Sequence, residues 1–131
     1  MQNNTIVHVQ GVHKELSNDE KTFPILNNIN LSIRQGEWVS LVGPSGSGKT
    51  TLLGIMAGID RPTTGKVFMH GQEISSMREA QLAQFRNEEI GIIFQSFFLI
   101  SSLTALENVA VPLFIGKNKR HALDKAADML A

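Results

Sequence analysis

Gly43-Pro44-Ser45-Gly46-Ser47-Gly48-Lys49-Thr50 fits the pattern G-x-x-x-x-G-K-[ST] at every fixed position, and its flanks supply the context that the pattern needs. Before it stands the short apolar run Trp38-Val39-Ser40-Leu41-Val42, suited to a buried strand. After it, Thr51-Leu52-Leu53-Gly54-Ile55-Met56-Ala57-Gly58 reads as a helix. Strand, glycine loop and helix in this order predict an α/β domain built around a triphosphate-binding loop.

Each residue type in the loop has a physical reason to be there. Gly46 and Gly48 permit φ > 0 and let the backbone approach a ligand with no Cβ in the way. Successive N–H groups of residues 45–51 can then curl into a concave nest, and the positive end of the following helix dipole adds to its attraction for phosphate oxygens. Lys49 would extend its ammonium to the β- and γ-phosphates, Thr50 would ligate a Mg²⁺ bridging them, and Thr51 could donate to the α-phosphate. Gly43, Pro44, Ser45 and Ser47 complete the loop.

Two rival readings are weaker. A merely flexible Gly/Ser turn does not need a full match between a strand and a helix. A dinucleotide fingerprint shares Gly46-Ser47-Gly48, but its third glycine position is Thr51 and a lysine occupies the turn.

The chain has 131 residues, 42% of them hydrophobic, which is enough for one compact domain with a core. Lys+Arg and Asp+Glu both count 12, so the formal net charge is zero and the basic footprint of a nucleic-acid binder is missing. Without cysteine there is no disulfide framework and no thiolate metal site, which is compatible with a reducing cytosol. Met1-Gln2-Asn3-Asn4 does not resemble a signal peptide, and no window approaches the roughly 18 apolar residues of a spanning helix. The expectation is a soluble chain that meets a membrane only through a partner.

Alternation in Thr5-Ile6-Val7-His8-Val9-Gln10 and Ile29-Asn30-Leu31-Ser32-Ile33-Arg34 predicts two half-buried strands before the loop, with residues 14–21 as a polar hairpin connection closed by Phe23-Pro24. The turn-rich Asp60-Arg61-Pro62-Thr63-Thr64-Gly65 leads to a strand Lys66-Val67-Phe68-Met69-His70. Ser76-Met77-Arg78-Glu79 has capping-box spacing and opens a helix to about Asn87, with Leu82 and Phe85 on one side. Ile90-Gly91-Ile92-Ile93-Phe94 reads as a buried strand delivering Gln95. A second box, Thr104-Ala105-Leu106-Glu107, starts a helix that Pro112 ends or bends. Residues 117–131 begin another, with Ala122, Leu123, Ala126, Met129 and Leu130 as its apolar stripe.

Val42 to Leu53 with its loop, Gly58-Ile59-Asp60-Arg61-Pro62-Thr63-Thr64-Gly65, and Gly91-Ile92-Ile93-Phe94-Gln95 together resemble the ATP-binding subunit of ABC transporters across the whole chain. Phe94-Gln95-Ser96-Phe97-Phe98-Leu99-Ile100, then Leu103-Thr104-Ala105-Leu106-Glu107-Asn108-Val109 and Pro112-Leu113, are similar to the lipoprotein-release and macrolide-export group. The resemblance implies an α/β P-loop NTPase fold with a parallel core sheet and an N-terminal antiparallel β part, residues 1–131 being the N-terminal portion of one ATP-binding domain. It implies ATP and Mg²⁺ as ligands. Its implied partners are an integral-membrane permease and a second ATPase subunit, with no nucleic acid, on the cytoplasmic face of an inner membrane.

The resemblance also implies residue roles. Gln95 would reach the Mg²⁺ and the attacking water as a γ-phosphate sensor, and residues 96–103 would face the permease. The adenine usually stacks on an aromatic residue shortly after the first strand, and here Leu16 takes that place. Phe23 could compensate by folding across the loop or could pack into the sheet. The family's Leu-Ser-Gly-Gly-Gln segment, its strand ending in Asp-Glu and its switch histidine are absent from these residues. His8, His13, His70 and His121 lie in or beside the wrong elements for that switch, and Glu88-Glu89 precedes an apolar strand rather than following one. The expectation is therefore nucleotide binding without hydrolysis by these residues alone, and an apolar sheet edge left unpaired.

Overall fold

A computed structural model describes residues 4–116 and 119–131. The described residues gather into two compact units, Met1–Arg78 and Glu79–Ala131. The start of the expected last helix at residues 117 and 118 lies outside the described residues.

The first unit is a four-stranded antiparallel sheet in the order β2-β1-β3-β4, formed by β1 (Thr5–Ser17), β2 (Thr22–Arg34), β3 (Thr64–Met69) and β4 (Gln72–Glu73). Helix α1 (Lys49–Met56) belongs to the same unit. The strands of the first hairpin are longer than the alternation predicts, because Lys14 to Ser17 and Thr22 to Pro24 pair instead of looping. The turn shrinks to residues 18–21, where the Asn18 side chain accepts from the amides of Glu20 and Lys21 at 3.2 and 2.8 Å. A side chain that imitates a backbone turn in this way closes the ladder without glycine. Pro24 sits inside β2, which is allowed because β2 is an edge strand with a free side.

Val9, Val12, Leu26, Val67, Met69 and Ile74 are buried, and Leu52 and Ile55 of α1 join them. Gly65 is required where β3 crosses the β1 irregularity: its φ is +91°, and a Cβ there would collide with the Gly11 carbonyl. Helix α1 begins at Lys49, two residues before the predicted start, and ends at Met56. Its end is a Schellman arrangement, with Gly58 N–H donating to the Ile55 carbonyl and Ile59 N–H to that of Gly54 at 3.1 and 2.8 Å.

The second unit contains α2 (Glu79–Glu89), α3 (Ala105–Ile115) and α4 (Ala122–Leu130). Leu82 and Phe85 are buried on one side of α2, as the spacing predicts. The box at Ser76 does not form: Ser76 ends a 3-10 turn over Ile74–Ser76 and donates to the Glu73 carbonyl at 3.2 Å, so α2 starts at Glu79. The box at Thr104 does form, its hydroxyl accepting from the Glu107 amide while the Glu107 carboxylate accepts from the Thr104 amide at 2.7 Å. These two hydrogen bonds, from the amide and from the hydroxyl of Thr104, hold the Glu107 carboxyl below its ordinary pKa.

Pro112 does not end α3, which runs on to Ile115. A proline removes one donor near the end of a helix while the remaining bonds persist, and the Gly116 amide still reaches the Pro112 carbonyl at 3.3 Å. In α4, Ala122 and Ala126 are buried, whereas Leu123, Met129 and Leu130 of the expected stripe are exposed.

The two segments expected as parallel strands carry no ladder among the described residues. Trp38 and Val42 are exposed at 101% and 88%, and Ile93 at 101%. An apolar run gives a strand something to bury, but a strand exists only when a neighbour supplies N–H and C=O groups along its edge. The N-terminal antiparallel part is present because β1 meets β2 on one side and β3 on the other.

Candidate functional site

The phosphate loop leaves residue 42 and enters α1 through Gly48, whose φ is +87°. Gly48 is the helix N-cap and offers no side chain, so the first-turn amides of Lys49, Thr50 and Thr51 meet no capping oxygen from it. Those amides, with the helix dipole behind them, are the donors an anion would use. The Ser47 amide is part of a tight turn instead, donating to the Pro44 carbonyl at 3.2 Å. This turn brings the backbone round on itself within the loop.

The Lys49 ammonium lies in the mouth of the loop, donating to the carbonyls of Gly43 and Pro44 at 2.7 and 2.6 Å and to the Ser47 hydroxyl at 3.4 Å. All three acceptors are neutral oxygens, so the donors can be handed to phosphate oxygens of matching geometry with a gain in charge pairing. Thr50 is exposed on the first turn, and a single hydroxyl fits the way Mg²⁺ is held by few protein oxygens together with phosphates and water.

The loop is braced by β2. Lys14 pairs with Leu26 and Glu15 with Pro24, so one step on β1 matches two on β2 and Ile25 is an extra residue in the strand. Such a bulge turns consecutive side chains towards one side. A Cβ on Gly48 would come within 2.9 Å of the Leu26 side chain, 3.0 Å of the Ile25 carbonyl and 3.3 Å of the Ile25 methyl. Glycine at 48 is therefore needed both for its φ and for its closeness to β2.

A second brace escapes sequence reasoning. The Lys14 ammonium donates to the Asp60 carboxylate at 2.7 Å and to the Arg61 carbonyl at 2.8 Å, joining β1 to the end of α1. Arg61 in turn donates to the carbonyls of Ser75 and Met77 at 3.0 and 2.7 Å. Burial works against the charged form of Asp60, but the Lys14 hydrogen bond, the Arg61 amide and the Lys14 charge outweigh it and hold the carboxyl below its ordinary value. Only the alternation that puts Lys14 on the face of Val12 hints at this from sequence.

Leu16 and Phe23 are cross-strand partners at the end of the hairpin, both exposed. Phe23 is thus not packed into the sheet. Gln95 lies in the second unit, on the exposed segment of residues 91–100. There Phe94 meets Phe98 edge-on with ring centroids 4.9 Å apart, and Phe98 holds φ +48°. Asn108, which the sequence does not single out, ties that segment to α3. Its side chain accepts from the Ile100 amide at 2.8 Å and donates to the carbonyls of Ile100, Leu103 and Thr104.

No helix among the described residues is long and apolar enough to cross a membrane. An open groove beside His8, Ser32 and Phe68 includes no phosphate-loop residue in its lining.

Residues 26–131 match the family model described as ABC transporter. The chain is 42% identical to the lipoprotein-releasing system ATP-binding protein LolD 1 of Chlorobium chlorochromatii, over 97% of this chain and 52% of that protein. It is 38% identical to the macrolide export ATP-binding/permease protein MacB of Vibrio parahaemolyticus, over 96% of this chain and 19% of that one. Among solved structures, the ATP-binding cassette MJ0796, a dimer in a post-hydrolysis state bound to ADP and Pi, superposes with a TM-score of 0.85 at 37% identity. The overlap covers 95% of this chain and 56% of that one. The chain thus spans about half the length of the LolD relative it matches. With the loop pattern, the hairpin and these matches in agreement, the chain belongs to the ABC transporter family and has the P-loop NTPase fold of its ATP-binding domain.

Proposed function

We propose that this chain binds Mg²⁺-ATP as part of the ATPase subunit of a transporter that powers export or lipoprotein extraction through an integral-membrane permease. The observation that carries the reading is the Gly48 N-cap, which leaves the first-turn amides facing the mouth that holds the Lys49 ammonium. The amides of Lys49, Thr50 and Thr51 bind the phosphates, Lys49 shifts from the Gly43 and Pro44 carbonyls onto the β- and γ-phosphates, and Thr50 holds the Mg²⁺. The magnesium would supply charge neutralisation between those phosphates. Gln95 is the second magnesium and water contact, and Leu16 lies against the adenine. In this reading the two units are parts of one ATP-binding domain.

The partners follow from the relatives. LolD is named as the ATP-binding protein of a lipoprotein-releasing system and MacB as an ATP-binding/permease protein, which supports a permease partner and a place beside a membrane. The solved relative is a dimer, which supports a second ATPase subunit. Residues 96–103, with the exposed Phe97 and Phe98, are the surface we assign to the permease.

These residues hold the triphosphate but contain no family Asp-Glu strand end, so they bind nucleotide without turning it over. A docking module indifferent to ATP is the remaining reading, and the strained, exposed Phe98 is what favours it. Calorimetry with Mg²⁺-ATP separates them: Lys49→Ala should weaken binding about 10- to 100-fold, as expected for a lost charge-assisted contact. Equal affinity of the two proteins removes the phosphate-loop reading. Steady phosphate release that Gln95→Ala abolishes would instead show that the residues here suffice for catalysis.

A further inference from the structure

The face of the sheet turned away from the core carries a groove whose lining is basic on one side and apolar on the other. His8 on β1 is the direct partner of Ser32 on β2 and of Phe68 on β3, so the three side chains form one row across three strands. Val9, the next residue of β1, is fully buried, and alternation therefore turns the row outward. Beyond the row, Thr5, Ile6 and Arg34 line a space of about 490 Å³ that ends at Gly71. A smaller depression of about 120 Å³ shares Thr5 and Ile6 with it and adds His70. Among the described residues neither lining contains a carboxylate, in a chain whose formal net charge is zero. Two nearby carboxylates are engaged: Glu37 accepts from the Arg34 amide at 2.6 Å, and Glu73, opposite Phe68, pairs with Lys66 at 3.3 Å. Among the described residues the Arg34 guanidinium forms no ion pair, which leaves its fork of donors to a ligand.

We propose that this groove binds a small aromatic oxyanion, a carboxylate or a phosphate ester whose charged group takes the Arg34 fork and whose ring lies along Phe68 and Ile6. The site is separate from the phosphate loop and stands whether or not the loop takes a triphosphate. A planar guanidinium matches two oxygens of either group at once. The Ser32 hydroxyl and His8 Nδ1 share a hydrogen bond at 2.8 Å; with the hydroxyl donating, the ring proton is on Nε2, which is a second donor in the same lining. Phe68 supplies the apolar wall, its ring centroid 6.1 Å from that of His8 and tilted by 33° to it. A space of this size suits a small organic molecule. A bare inorganic anion would leave Phe68 and Ile6 uncovered, and a neutral arene would leave the guanidinium unanswered, so the lining selects for both halves in one ligand.

Calorimetry on the full chain with naphthyl phosphate, naphthoate, naphthol and inorganic phosphate tests this. Naphthyl phosphate or naphthoate should bind at least about tenfold more tightly than naphthol and inorganic phosphate, and the tighter of the two identifies the oxyanion. Arg34→Gln should weaken that ligand about tenfold, and Arg34→Lys, which keeps the charge but loses the fork, about threefold. Phe68→Leu, which keeps an apolar side chain but loses the ring, should also cost about threefold. Arg34 is exposed, so its variants should keep the circular dichroism signal of the original. Should Phe68→Leu lose that signal, the two Arg34 variants still decide. Excess magnesium tripolyphosphate should not displace the ligand. Displacement by tripolyphosphate would put the ligand in the phosphate loop and overturn the groove. Affinity indifferent to Arg34→Gln, naphthol binding as tightly as its charged relatives, or no binding of either aromatic anion overturns it as well.

Discussion

The hairpin of β1 and β2 and the segment of residues 38–42 are both apolar, both β-prone, and both in the first unit, yet only one of them is a strand pair. In the hairpin, Val9 and Val12 are fully buried beneath a ladder that continues to β3, whereas Trp38 and Val42 stand in the open at 101% and 88% exposure. The residues of the second stretch are no less suited to a sheet. What they lack among the described residues is a neighbour, and the difference shows that side-chain character selects a place in a sheet only after a partner edge exists.

The two regions should therefore respond unequally to substitution. The largest effect is expected at Gly65→Ala, which puts a Cβ at φ +91° against the Gly11 carbonyl in the laddered region. It should cost about 2–4 kcal/mol in a urea titration followed by circular dichroism. Retention of full stability would mean that β3 can move away from β1 without loss, and the contrast between regions would weaken.

Thr104→Ala comes next, with a loss of about 1 kcal/mol from the second unit, because it removes the hydroxyl that caps the Glu107 amide. Hydrogen exchange should localise the loss to the first turn of α3, and an effect in the β1 amides would contradict the division into two units.

A smaller change is expected with pH. The Asp60 carboxyl sits below its ordinary value in the folded chain, so its ion pair with Lys14 contributes stability above the unfolded value of about 4 and loses it as pH falls further. The unaltered chain should therefore lose more stability below pH ~4 than Asp60→Asn does. Parallel acid profiles would show that Lys14 and Asp60 are not coupled.

The smallest expected effect bears most directly on the unpaired segment. Trp38→Ser should change stability by less than about 0.5 kcal/mol, since the indole is fully exposed. A cost similar to that of Gly65→Ala would mean that residues 38–42 are already part of a packed sheet, and the contrast would be lost.

Legibility from sequence followed the range of the interactions involved. The loop pattern was readable because it lies in eight consecutive residues, and the structure adds the +87° φ of Gly48 and the Lys49 ammonium on the Gly43 carbonyl. The Thr104 box was readable for the same reason, since donor and acceptor are three residues apart. Ser76 and Glu79 had that spacing too, but the Ser76 hydroxyl found the Glu73 carbonyl first, in a 3-10 turn that no pattern announces. Pro112 marked a helix end that the remaining backbone bonds carried past.

Residue order was enough to specify the ABC transporter family, an antiparallel hairpin and the glycine loop that enters α1, because glycine placement, a lysine and apolar alternation act over a few residues at a time. Packing in three dimensions was needed to settle that Ile25 bulges against Gly48, that Lys14 reaches Asp60, that Phe23 meets Leu16 rather than the core, and that residues 38–42 form no ladder. Those outcomes depend on which edges and charges come together across the chain, and pairing between distant segments is fixed by their mutual geometry, which no local pattern encodes.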